Sequence, residues 1–113
     1  MLPQKHKLKK EDFNGFQRWK TAQSPHLTLR IKTASRGELS RFAFVVAKKI
    51  SKKSVTRNKL KRFGYRAVGE IIKDAPNGFL CAFFFRGAGA DKLSYKTVRE
   101  ETLFLLKKVG FLP

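Results

Sequence analysis

The sequence predicts one α+β domain: an α/β sandwich in which a central mixed sheet is covered by helices packed mainly on one side. Three observations carry this. The chain has 113 residues, the length of a single domain. Its apolar residues recur at period two in some segments and at three and four in others. The resulting order is helix, strand, strand, helix, strand, helix, which builds one sheet with segregated helices. Hydrophobic residues make up 42%, enough for a packed core.

Residues 1–10 are polar and basic, and 1–8 read as a loosely held arm. A short helix is expected over 11–20, with Glu11 and Asp12 at its positive dipole end and Phe13, Phe16 and Trp19 as its apolar residues, although Gly15 weakens it. Leu27 to Lys32 alternates apolar and polar, the pattern of a half-buried strand. A turn at Ser35–Glu38 and a more buried strand over Arg41–Ala47 follow, so 27–47 reads as an antiparallel pair. From Val55 to Lys73 the period lengthens: Leu60, Phe63, Gly64, Ala67, Val68 and Ile71 form one face of an amphipathic helix, with Ser54 as its cap. Gly64 on that face costs about 1 kcal/mol relative to Ala, and a close neighbouring strand or side chain would explain it. Pro76–Gly78 is a turn, Phe79–Arg86 a strand apolar on both faces, and Gly87–Ala90 a loop. A last helix runs from Ser94 to Val109, with Lys107 and Lys108 in its final turn and Gly110 beyond it. If the strands at 41–47 and 79–86 are parallel, the helix between them is a crossover.

Charge dominates the composition: 26 Lys and Arg against 8 Asp and Glu give +18. Such an excess repels itself in the compact state, and a polyanionic partner is the simplest reason to keep it. Membrane spanning is not expected, because the longest apolar run, Phe79–Phe85, falls far short of the roughly 20 residues required. The N-terminal charges precede no apolar stretch, so a signal peptide is not expected. A lone cysteine, Cys81, cannot form an internal disulfide, which fits a reducing, cytoplasmic setting.

The cations are concentrated. No acidic residue occurs from Leu39 to Gly69, a stretch of 31 residues. It contains Arg41, Lys48, Lys49, Lys52, Lys53, Arg57, Lys59, Lys61, Arg62 and Arg66. A merely solvated face mixes both signs, so this stretch reads as a nucleic-acid surface. On a helical wheel Asn58, Arg62 and Tyr65 point away from the apolar stripe, Lys59 and Arg66 lie on one flank, and Arg57 and Lys61 on the other. Lys48, Lys49, Lys52 and Lys53 occupy the loop entering the helix, where backbone N–H groups favour phosphate. Arginine forks across phosphate oxygens, and Asn58 can bond a phosphate, a 2′-hydroxyl or a base edge.

No catalytic constellation accompanies this surface. Glu11–Asp12 and Glu100–Glu101 are adjacent pairs, and neighbours on a helix do not face one direction. His6 and His26 are isolated in sequence and read as surface imidazoles, and Cys81 as a small buried hydrophobe. No metal site is expected in the protein.

The stretch Arg41-Phe-Ala-Phe-Val-Val-Ala-Lys48-Lys49-Ile-Ser-Lys52-Lys-Ser-Val-Thr-Arg57-Asn58-Lys-Leu-Lys61-Arg62 resembles the protein subunit of bacterial ribonuclease P: a strand ending in Lys-Lys, a loop, then a helix opening with Arg-Asn and continuing to Lys-Arg. Leu8–Phe13, Phe84–Gly87 and the closing helix from Leu103 to Leu112 fit the same family. Departures exist. Ala43 and Ser51 stand where the family usually has Gly, and Tyr65 and Arg66 where Arg and Glu are usual, so the resemblance gives the last two no role.

The resemblance implies a fold like that of a ribosomal protein domain with a left-handed βαβ crossover. It implies partners: a large catalytic RNA and precursor tRNA, whose 5′ leader the complex removes, with magnesium ions held by the RNA. It implies that Lys48, Lys49, Lys52, Lys53, Arg57, Asn58, Lys61 and Arg62 face the RNA subunit, and that Phe13, Phe16 and Arg86 face the single-stranded leader in a cleft beside the sheet. Phe13 and Phe16 also fit plain packing of the first helix, and Arg86 a solvated strand end. The Phe83–Phe85 cluster and Trp19 read as core. The main competing reading is a ribosomal or ribosome-assembly RNA-binding protein. A free-standing nuclease lacks its acid–base groups, and a DNA or membrane-surface protein leaves the helix's apolar stripe unexplained.

Overall fold

The computed structural model describes residues 4–8, 19–34 and 38–112. Six main elements follow in order: β1 (Lys20–Gln23), β2 (Leu27–Thr33), β3 (Arg41–Val45), α1 (Ser54–Ile71), β4 (Phe79–Phe85) and α2 (Tyr95–Lys108). The sheet is mixed, with strand order β1-β2-β4-β3. The expected helix over 11–20, with Phe13 and Phe16, lies outside the described residues except at its end. There Trp19 is buried and Lys20 already belongs to β1, a strand the sequence reading missed.

β2 and β3 do not pair with each other, contrary to the expected antiparallel pair. β4 inserts between them, antiparallel to β2 and parallel to β3. The reason is burial. β4 (Phe-Leu-Cys-Ala-Phe-Phe-Phe) is apolar on both faces, and only the centre of a sheet covers both. The parallel β3–β4 pair makes α1 the crossover helix.

The two faces of the sheet differ. Leu27, Leu29 and Ile31 of β2, Phe42 and Phe44 of β3, and Cys81, Phe83 and Phe85 of β4 point into the main core. They meet Leu60 and Val68 of α1 and Val98, Leu105 and Leu106 of α2. Burial pushes the Cys81 thiol's pKa up, consistent with an inert apolar side chain. On the other face Trp19 covers Leu80 and Ala82, with Leu8, Ala34 and Phe84 packed beside them.

Both helix starts are informative. Ser94 caps α2, accepting from the Thr97 amide at 3.2 Å. Ser54 does not cap α1: it is the first helical residue, and Lys53 at the cap position makes no side-chain cap. The entering loop is tied by Ser51 instead, whose Oγ accepts from the Lys53 amide at 3.2 Å. α1 ends at Ile71 and tightens into a 3₁₀ turn over Ile72–Asp74.

The basic N-terminal segment is not a loose arm over its described part. Lys7 bridges Phe42 in parallel, and the Leu8 amide donates to the Phe42 carbonyl at 2.9 Å. His6 is buried, with Nδ1 2.9 Å from the Ser40 carbonyl, so it is not a surface imidazole.

Gly64 has a steric reason. A Cβ there would collide with the Phe44 ring, which is 2% exposed and stacks on Phe83 with centroids 4.7 Å apart. Alanine at 64 would add about 1 kcal/mol of helix propensity, but overpacking costs roughly 1–3 kcal/mol where the neighbour cannot move. Gly64→Ala is expected to destabilise the protein, and Gly64→Ala with Phe44→Leu to recover part of the loss. Denaturant titration measures both, and a stabilised single variant would show that the ring gives way.

Candidate nucleic-acid interface

Three sides of α1 face the rest of the protein. Leu60, Gly64, Ala67 and Val68 are buried. Phe63 and Arg66 turn toward α2, where the Arg66 guanidinium lies 4.2 Å from the Tyr95 ring centroid and Phe63 meets the same ring edge-on at 5.8 Å. Glu70 completes this seam. Tyr95 donates its hydroxyl to Glu70 at 2.8 Å and Arg99 its Nε at 3.0 Å, and these bonds hold the Glu70 carboxyl below its ordinary pKa. Tyr65 is on the third side, and it does not point away from the protein as the helical wheel placed it. Its ring meets Phe44 edge-on at 5.2 Å and its hydroxyl accepts from the Phe44 amide at 3.4 Å.

The loop and outer face of α1 are cationic. Lys48, Lys49, Lys52, Lys53, Asn58 and Arg62 are exposed, and Arg57 and Lys61 half-buried. Arg57 donates to the Ser51 carbonyl at 2.9 Å, so it also anchors the loop. Among the described residues none of these cations has an ion-pair partner.

A second feature lies on the sheet face away from the helices. Trp19 covers one end of that face, and the other end opens into a groove of about 440 Å³. Phe84 stands at its centre because the register puts Thr28 on one side of it and Val45 on the other. Arg30, Lys49, Arg86 and Gly87 also line it. The paired Ala43 and Ala82, flanked by Arg30, leave that part of the face low. Lys49 belongs both to this groove and to the loop entering α1, so the two features are contiguous.

Gln23 of β1 and Thr28 of β2 line the groove, and the turn between these strands is held from two sides. Arg86 donates Nη1 to the Ser24 carbonyl at 2.8 Å and its amide to the His26 carbonyl at 2.9 Å. It is therefore more than a solvated strand end. From α2, Glu101 accepts from the Ser24 hydroxyl and from the His26 amide at 2.7 Å, and its other oxygen lies 2.8 Å from His26 Nδ1. His26 is thus partnered, not isolated, and Glu101 turns inward while Glu100 stays exposed. Among the described residues no three His, Cys, Asp or Glu gather to hold a metal, and no described helix is long and apolar enough to cross a membrane.

The family model for ribonuclease P matches residues 2–110. The chain belongs to the ribonuclease P protein family. The ribonuclease P protein component of Microcystis aeruginosa is 33% identical, the match covering 98% of this chain and 96% of that one. The Clostridium botulinum (strain Loch Maree) component is 34% identical over 97% of each. Among solved structures, the RNase P protein of Thermotoga maritima matches with a TM-score of 0.77 at 26% identity, over 90% of this chain and 96% of that one. That of Staphylococcus aureus matches with a TM-score of 0.81 at 16% identity, over 96% and 98%, a likeness of fold.

As a ribonuclease P protein the chain is a component of an endoribonuclease complex in tRNA processing, and its family implies an RNA partner. The sequence reading missed the groove residues Thr28, Arg30, Val45 and Phe84. A signal was present: Thr28 and Arg30 alternate with the core residues of β2, and an apolar residue facing that polar side, Phe84, was available on β4.

Burial alone would raise the Glu101 pKa, but the bonds from Ser24 and His26 outweigh it and hold the carboxyl below its ordinary value. Its stabilisation is then present at neutral pH and is lost as pH falls through the carboxylate range, below about pH 4. Glu101→Gln is expected to cost about 1–2 kcal/mol at neutral pH, and the difference from the parent chain to shrink in acid. Denaturant titrations at several pH values test this, and a pH-independent difference would remove the carboxylate charge from the explanation.

Proposed function

We propose that this chain is the protein subunit of a bacterial ribonuclease P holoenzyme, binding the catalytic RNA along α1 and its entering loop and the 5′ leader of precursor tRNA in the groove. The observation that carries this reading is Lys49. It joins an unpaired cationic helix, fit for a folded RNA backbone, to a groove fit for a single strand.

The chemistry of the two surfaces differs accordingly. Lys48, Lys52, Lys53, Arg57, Asn58, Lys61 and Arg62 meet phosphates and 2′-hydroxyls without reading sequence. In the groove, Lys49 and Arg86 stand beside the apolar Phe84 and Val45, the combination of cations and an aromatic that holds unpaired nucleotides of any sequence. Phe13 and Phe16 are proposed to face the same strand. The protein's residues bind and orient, and magnesium belongs with the RNA in this reading. The cellular setting proposed is the cytoplasm, where such an RNA resides.

Reconstitution tests the reading: purified protein, a ribonuclease P RNA from the same organism and precursor tRNA at low magnesium, beside protein-only and RNA-only controls. Rescue of leader cleavage in the mixture alone is expected. Cleavage by protein alone, or RNA binding without rescue, would overturn it. In the assembled complex, Lys49→Ala and Phe16→Ala are each expected to weaken binding of leader-bearing precursor more than of mature tRNA, Phe16→Ala by roughly 1–3 kcal/mol for a lost stacking contact. Equal losses for both substrates would remove these residues from leader binding.

A further inference from the structure

α1 carries Arg57, Lys61 and Tyr65 at successive intervals of four, one stripe along the helix. The stripe begins with two cations and continues to a neutral ring that packs against Phe44 of β3. The charge does not stop there. Lys7, from the N-terminal segment, places Nζ 4.9 Å from the Tyr65 ring centroid, within cation–π range.

This placement is built into the fold. β3 is an edge strand, and its outer edge is covered twice. The Leu8 amide takes the Phe42 carbonyl, and the Tyr65 hydroxyl takes the Phe44 amide. His6 is fixed below by the Ser40 carbonyl, and Leu8 packs into the second apolar cluster. Lys7 is therefore held between two anchored neighbours, at a bridge to Phe42. Its stem is half-buried and its ammonium lies at the end of the Arg57–Lys61 stripe. Among the described residues no carboxylate pairs with it. Arg66, the next cation on α1 after Arg62, goes the other way. It lies on Tyr95 at the α2 seam, where the Glu70 carboxylate offsets its charge.

We infer that Lys7, seated on Tyr65, is a phosphate-binding residue of the RNA-subunit surface, and that Arg66 lies outside that surface. The inference rests on the proposed role of α1 and extends its surface from the helix to a separate segment of the chain. Tyr65 acts as a platform: it touches Lys7, not the RNA.

The test is the salt dependence of binding, using the full chain and the ribonuclease P RNA. Each lost phosphate contact lowers the slope of log affinity against log salt by about 0.7–0.9. Lys7→Ala is expected to lower it by about that amount and Lys7→Arg to preserve it. Tyr65→Leu should match Lys7→Ala, and the double variant should lose no more than either single one. Tyr65→Phe keeps the ring and should keep the slope, which carries the platform test if Tyr65→Leu fails to fold by circular dichroism. Arg66→Ala should leave the slope unchanged. An unchanged slope in Lys7→Ala, with a lowered slope in Arg57→Ala or Lys61→Ala, overturns the inference and leaves the α1 surface standing. A lowered slope in Arg66→Ala overturns its exclusion. Unchanged slopes in all of these variants overturn the α1 surface itself, and the inference with it.

Discussion

The approach of α1 to the sheet is fixed at one point, where the Phe44 ring fills the space a side chain at residue 64 would need. Phe44 cannot withdraw, because it lies flat against Phe83 on the central strand. This contact sets the rotation of α1 about its axis. With Gly64 turned to Phe44, Tyr65 falls at the outer edge of β3, and Arg57 and Lys61 fall on the stripe that leads to it. Phe63 and Arg66 are thereby turned to α2. One missing Cβ thus decides which cations face outward.

The few acids reinforce this arrangement. Glu70 joins Tyr95 and Arg99 across the helix pair, and Glu101 ties α2 to the β1–β2 turn. Glu38 pairs locally with Arg41. Glu70 and Glu101 work at joints of the fold, and all three lie away from the loop and outer face of α1. The exposed pairs of Glu38 and Glu70 contribute little to stability, so their value is geometric, while the more buried Glu101 contributes stability as well as position. All three leave the outward cations of α1 unneutralised.

Much of this was legible in the sequence where side-chain period alone decides the outcome. The core face of α1, the burial of Cys81 and the close neighbour at Gly64 follow from apolar spacing. The acid-free stretch reports the cationic face equally directly, since charge needs no partner to be read. Sheet order was not legible: β2 and β3 adjoin in sequence, and only competition for the centre, won by the doubly apolar β4, separates them. β1 was missed because Lys-Thr-Ala-Gln has no apolar alternation, and pairing with β2 alone makes it a strand. The groove was hidden for a related reason. Phe84 reads as core from its neighbours in sequence, and only the pairing of β4 with β2 and β3 sets it beside Thr28 and Val45 on the groove's face. His6, His26 and Tyr65 were misplaced because their partners, the Ser40 carbonyl, Glu101 and the Phe44 amide, are distant in sequence.

The charge links stability to partnership. A net +18 on 113 residues repels itself, and much of it is gathered on the loop and outer face of α1. The fold withstands this because the face is carried by a helix whose other sides are fastened to Phe44, Tyr95 and Arg99. A polyanion that binds this ordered face more tightly than it binds the unfolded chain offsets the repulsion and adds to folding stability by mass action. The groove carries less of this charge, since Arg30, Lys49 and Arg86 share its lining with the apolar Phe84 and Val45. In the reading proposed above, the strongly charged helix holds the RNA subunit and the groove the single strand. Lys49 at their junction brings the second within reach of the first.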